Sequence, residues 1–143
     1  MEDYMKIEFP AKSKNESFAR SVVGAFATRL DITIEELADI KTAVSEAVTN
    51  AVVHGYKGKG GIIEIYCRAV QNEIHIEIKD MGCGIKDVEQ AMQPLFSGSD
   101  DEDRSGMGFT VMDSFMDDLE VISAVGHGTT VRMRKIVGET YEA

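Results

Sequence analysis

The sequence predicts an α+β protein: a two-layer α/β sandwich whose helices cover one face of a mixed, mostly antiparallel sheet. Three observations lead there. Phe18, Val22, Phe26 and Leu30 recur every fourth residue, and so do Ile40, Val44, Val48 and their neighbours, which is helical spacing. Ile63-Ile65-Cys67-Ala69 and Ile74-Ile76-Ile78 alternate with polar residues, which is strand spacing. Finally, the elements run β, α, α, β, β, α, loop, α, β, β, an order that interleaves helices with about five strands.

Taken along the chain, residues 4–9 alternate weakly through Met5, Ile7 and Phe9 and form the first strand. The first helix starts near Asn15 and ends before Asp31. Thr33 and Glu36 have the spacing of a capping box and open a second helix. Its buried stripe is Leu37, Ile40, Val44, Ala47, Val48 and Ala51, with Gly55 as the expected closing glycine. Gln71-Asn72 fits a hairpin turn between the two alternating strands. A short helix is expected around residues 87–92, a long loop over 93–106, and a further helix over about 107–116. Two last strands, about 119–125 and 129–135, flank Gly126-His127-Gly128.

At 143 residues and 15.7 kDa the chain is expected to be one domain with a substantial core. Its 15 Lys and Arg against 25 Asp and Glu leave a net charge of −10. A field of that sign opposes nonspecific contact with nucleic acid or an anionic membrane. No apolar run is long enough to span a bilayer. The first residues lack the basic and apolar regions of a signal peptide, and Cys67 and Cys83 have no metal-site spacing. Two free thiols suit a reducing cytoplasm.

Four patches carry chemistry-bearing residue types. Glu46, Asn50 and His54 are spaced i, i+4, i+8 and form one polar stripe of the second helix. Thr42, Ser45, Thr49 and Asn50 are mediocre helix formers there, where a purely solvated face favours Glu, Lys or Ala. Asp80-Met81-Gly82-Cys83-Gly84 ends a strand. A carboxylate there accepts from an exocyclic amine, and glycines let backbone approach a flat ligand. Arg104-Ser105-Gly106-Met107-Gly108 leads into a helix N-terminus, a generic phosphate site. Gly128-Thr129-Thr130 begins the last strand. Each patch alone has an ordinary reading: a polar helix face, an Asp-Gly turn, a hinge, a hairpin loop. The P-loop and dinucleotide-binding glycine patterns are absent.

In order and approximate spacing, these four motifs resemble the GHKL ATPase/kinase superfamily, whose ATP-binding fold is the Bergerat fold. Ser45 to Tyr56, Pro94-Leu95-Phe96 and Arg104 to Phe109 make the chain similar to the anti-sigma factor serine kinases within it. The resemblance implies that Glu46 is a general base and Asn50 a Mg²⁺ ligand. It implies that Asp80, helped by Thr130, accepts from the adenine amine of ATP or ADP, with Gly82 and Gly84 beneath the ring. Residues 93–108 become an ATP lid, ordered by the γ-phosphate through Arg104, Ser105, Gly106 and Gly108. Arg20 of the first helix matches a partner-contacting position. The implied partners are a sporulation sigma factor, which is inhibited, and an anti-anti-sigma protein phosphorylated on serine, with the chain acting as a cytoplasmic homodimer. A stress-response relative, a nucleotide-gated binding module without kinase activity, and the catalytic part of a histidine kinase are the alternatives. One departure is the acidic run of residues 100–103 inside the lid, directly before Arg104.

Overall fold

The computed structural model describes residues 2–93 and 108–138. Its element order is β1 (Glu2–Pro10), α1 (Asn15–Ala27), α2 (Ile34–Asn50), β2 (Ile62–Val70), β3 (Glu73–Asp80), α3 (Val88–Ala91), α4 (Gly108–Phe115), β4 (Asp118–Ser123) and β5 (Thr129–Ile136). The five strands form one sheet in the order β1-β2-β3-β5-β4. Every ladder is antiparallel, so the sheet is not mixed.

Alternation decides which face is covered. In β2 and β3, Ile63, Ile65, Cys67, Ile74, Ile76 and Ile78 all point into the core. Against them α2 sets Ile40, Ala43, Val44, Ala47 and Val48, every one buried. α2 packs between α1 and α4, and Phe26, Phe109 and Met112 close the core on either side. The opposite face of the sheet is solvated. There Arg132 bridges Glu77 at 3.0 Å and Glu120 at 3.4 Å, while Arg134 reaches Glu73 and Asp118. Among the described residues, no helix is long and apolar enough to cross a membrane.

The capping box forms as the spacing predicts. Glu36 N–H donates to Thr33 Oγ1 at 3.1 Å, and Thr33 N–H donates to Glu36 Oε1 at 2.9 Å. Glu36 Oε1 also accepts from the Gly138 N–H at 3.1 Å, which ties the exit of β5 to the start of α2.

The far end of α2 departs from expectation. The helix does not close on Gly55. Residues Ala51–Gly55 widen into a π-helical turn, with the Tyr56 N–H bonded to the Ala51 carbonyl at 2.9 Å. The chain then reverses through Lys57 (φ 54°) and Gly58 (φ 75°).

Thr33→Ala should cost about 1 kcal/mol of unfolding free energy, the usual value of an N-cap, read from urea denaturation. Glu36→Ala should cost more, because the Gly138 N–H loses its acceptor as well. Burial pulls the Glu36 carboxyl up, but bonds from Thr33 and Gly138 hold it below the ordinary carboxylate range. Its stabilisation is therefore present at neutral pH and is lost as pH falls through that lowered value, so wild type and Glu36→Ala should converge in strong acid.

Candidate functional site

β3 delivers Asp80 to the covered side of the sheet, where it is 5% exposed. Alternation requires this: Ile74, Ile76 and Ile78 point inward, so the next residue of that parity does too. Asp80 Oδ1 accepts from the Gly82 N–H at 2.9 Å, and the carboxylate also accepts from the Thr129 N–H. Burial nonetheless pushes the Asp80 carboxyl above its ordinary value, against the pull of those two donors.

The backbone closes round this carboxylate. A Cβ on Gly55 would sit 2.9 Å from Asp80 Oδ1, and one on Gly82 would sit 2.1 Å from the Gly55 carbonyl oxygen. The Cys83 N–H donates to that carbonyl at 2.9 Å. Gly84 (φ 77°) presses on the Ala124 carbonyl, and Gly128 (φ 76°) on that of Asp80. Side chains at these positions would force the loops apart. Tyr56 completes the enclosure: its hydroxyl accepts from the Met81 N–H at 2.7 Å and donates to the Ile62 carbonyl at 2.6 Å.

One expectation is corrected by the strand register. Thr129, not Thr130, is the cross-strand partner of Asp80; Thr130 faces Lys79 on the open side of the sheet. Thr129 is 8% exposed. The signal is present in the alternation, because inward Val131 and Met133 put Thr129, not Thr130, on the core side. Sequence reasoning also misses Gly55 and Tyr56 as site-building residues, since their contacts with Asp80 and Met81 lie 25 residues away in sequence.

At the last residue of α2, just before the π turn, Asn50 meets the first residue of α4. A Cβ on Gly108 would lie 3.0 Å from Asn50 Nδ2 and 3.1 Å from Oδ1. The amide therefore stands beside a helix N-terminus, where unpaired N–H groups favour an anion. One helical turn earlier, Glu46 is half-buried. Desolvation first, and the charge of Glu16 second, raise its carboxyl above the ordinary glutamate value. Arg20 of α1 bonds Glu16 at 3.1 Å and Ser45 at 3.4 Å. Two of the weak helix formers thus have local reasons: Ser45 faces Arg20, and the Thr42 hydroxyl donates to the Ala38 carbonyl at 2.9 Å. Arg104, Ser105, Gly106, the acidic run and most of the lid lie outside the described residues. Both cysteines are free, Cys67 buried and Cys83 exposed.

A buried carboxylate on a glycine-walled floor, with an amide beside a helix N-terminus, is a setting suited to a flat amine-bearing group and an anion. Residues 9–135 match the family model described as the histidine kinase-like ATPase domain. The anti-sigma F factor of Caldanaerobacter subterraneus is 61% identical over 134 residues, 94% of each chain. That of Clostridium acetobutylicum is 53% identical over 135 residues, again 94% of each. The chain belongs to the histidine kinase-like ATPase family, in its anti-sigma F factor branch. Solved structures agree in fold. The RsbU and RsbW domains of Rv1364c from Mycobacterium tuberculosis match with a TM-score of 0.64 at 16% identity, covering 94% of this chain and 32% of that one. The mycobacterial sensor histidine kinase MprB matches with a TM-score of 0.57 at 15% identity, covering 94% and 98%.

Asp80→Asn separates stability from binding. A buried acid with a raised pKa holds its proton more tightly folded than unfolded, so its ionised form costs stability above that pKa. The variant should melt no lower than wild type at pH 7, and wild type should gain on it as pH falls through the raised value. Nucleotide binding, read by calorimetry, should be lost.

Proposed function

We propose that this chain is an ATP-dependent anti-sigma factor with protein serine kinase activity. It holds a sporulation sigma factor, sigma F, away from RNA polymerase and phosphorylates an anti-anti-sigma protein that would release it. The observation that carries this reading is the set of groups placed by α2 and its π turn. One continuous element brings a half-buried carboxylate at Glu46, an amide against the α4 N-terminus at Asn50, and the glycine wall of the Asp80 enclosure at Gly55. The 61% and 53% identities to anti-sigma F factors support the sigma factor as partner.

ATP is the substrate. Asp80 accepts from the adenine amine, and Gly82 and Gly84 let backbone lie close to the ring. Gly108 heads the helix whose N–H groups face the phosphates, with Arg104, Ser105 and Gly106 of the preceding segment supplying further donors. The site fits a Mg²⁺ ion through the Asn50 amide oxygen, a hard ligand beside the anion site. That ion would neutralise phosphate charge during transfer. Glu46 accepts the proton of the partner's serine hydroxyl as that oxygen bonds to the γ-phosphorus and ADP leaves. Its desolvated setting suits a base, because a raised pKa strengthens proton affinity. Arg20 lies on α1 one contact away from the Glu46 neighbourhood, where an incoming protein partner of this cytoplasmic homodimer would meet it.

Glu46→Gln should retain ATP binding and slow single-turnover transfer to an anti-anti-sigma substrate by about 10²–10⁴-fold, followed with γ-labelled ATP. Transfer within a few-fold of wild type would remove Glu46 as the base. The acid limb of the wild-type rate profile should lie above the ordinary glutamate range. Glu16→Gln removes a like charge and should move that limb to lower pH. Asn50→Ala should abolish the Mg²⁺ dependence of nucleotide affinity, measured by titration with and without the ion.

A further inference from the structure

Ser123, the last residue of β4, has three hydrogen-bond partners at its hydroxyl and only one proton to give. Its Oγ lies 2.9 Å from the Gly128 carbonyl oxygen, 2.7 Å from the Ile85 nitrogen and 2.8 Å from Thr129 Oγ1. A carbonyl oxygen can only accept, so the Ser123 proton goes to Gly128. The Ile85 N–H can only donate. The remaining bond is therefore Thr129 O–H donating to Ser123. Thr129 is left with lone pairs alone for anything else it meets beside Asp80.

The other donors round the enclosure are committed as well. The Tyr56 proton goes to the Ile62 carbonyl, and the N–H groups of Met81, Gly82, Cys83 and Ile85 go to Tyr56, Asp80, Gly55 and Ser123. The Cys83 thiol points at the carbonyls of His54 and Gly84. Those donors are all engaged within the protein. What Asp80 and Thr129 present is a paired acceptor surface.

We propose that Ser123 is a specificity-determining positioning residue: by taking the Thr129 proton and passing its own to Gly128, it locks Thr129 as an acceptor beside Asp80, so that the enclosure admits an amine-bearing purine edge and rejects a carbonyl-bearing one. The inference rests on the nucleotide-binding reading above and deepens it. A 6-amino purine donates into this surface directly or through a water. A 6-oxo purine turns its own lone pairs onto two acceptors, and sites that leave buried polar groups unpaired reject strongly. With Ser123 removed, the Thr129 hydroxyl is free to rotate and donate, which makes a place for a carbonyl.

The experiment is calorimetric titration of the full chain with ATP and with GTP, with folding checked by thermal melts. Wild type should prefer ATP. Ser123→Ala should narrow the ATP/GTP affinity ratio by about tenfold or more, chiefly through improved GTP binding, and Ser123→Thr should restore it. In a Thr129→Val background, Ser123→Ala should have no further effect on the ratio, which a role in general packing would not produce. Where Ser123→Ala does not fold, Thr129→Val against Thr129→Ser decides: the first should narrow the ratio and the second keep it. An unchanged ratio in Ser123→Ala, or in Thr129→Val, overturns the proposal while leaving nucleotide binding intact. Absence of purine nucleotide binding by wild type would instead remove the reading beneath it.

Discussion

The π turn that ends α2 meets the segment after β3 through a close backbone contact, with the Cys83 thiol on the His54 carbonyl beside it. The Gly55 carbonyl takes the Cys83 N–H at 2.9 Å, and Gly82 passes so near that a single methyl group would reach 2.1 Å from that oxygen. The rest of the site depends on this contact. It sets the distance of the helix from the strand, and so the position of everything on α2 relative to Asp80. The π turn at Ala51–Gly55 belongs to the same constraint.

Two acids with raised pKa values lie along this assembly, and burial is the leading cause for both. Their surroundings differ, and so do the chemistries available. Asp80 is embraced by two backbone N–H groups and fixed in place, which suits recognition. Glu46 has the like charge of Glu16 nearby, which strengthens its hold on a proton and suits proton transfer. A net charge of −10 does not forbid an anionic ligand here. Salt screens distant charges beyond about 8–10 Å, and the local N–H groups at the start of α4 act at contact distance. On the open face of the sheet, acids are answered by Arg132 and Arg134.

Much of the fold is legible in the sequence because it follows from period. Alternation in β2 and β3 places their inward residues correctly, and the spacing of Ile40, Val44 and Val48 places the face of α2. The capping box at Thr33 is visible as a local motif and forms as one. Local reading fails where the relation is long-range. A glycine after an apolar stripe ordinarily closes a helix, yet Gly55 instead makes room for Asp80. Thr130 carries the resemblance, but the parity of Val131 and Met133 turns Thr129 inward, and a one-residue shift moves a side chain to the other face of a sheet.

By itself, then, the sequence determined most of the elements, the inward face of β2, β3 and α2, and where the chemistry-bearing residue types sit along the chain, because periodicity and spacing are properties of neighbours along the chain. The tertiary structure alone decided which of those residues meet. Cross-strand register set Asp80 opposite Thr129. Packing of α4 on α2 set Gly108 against Asn50. The meeting of three segments set the Ser123 hydroxyl against Ile85, Gly128 and Thr129. Those relations join residues up to 58 positions apart, as Asn50 and Gly108 are, and no local rule of the chain links them until the core has brought them together.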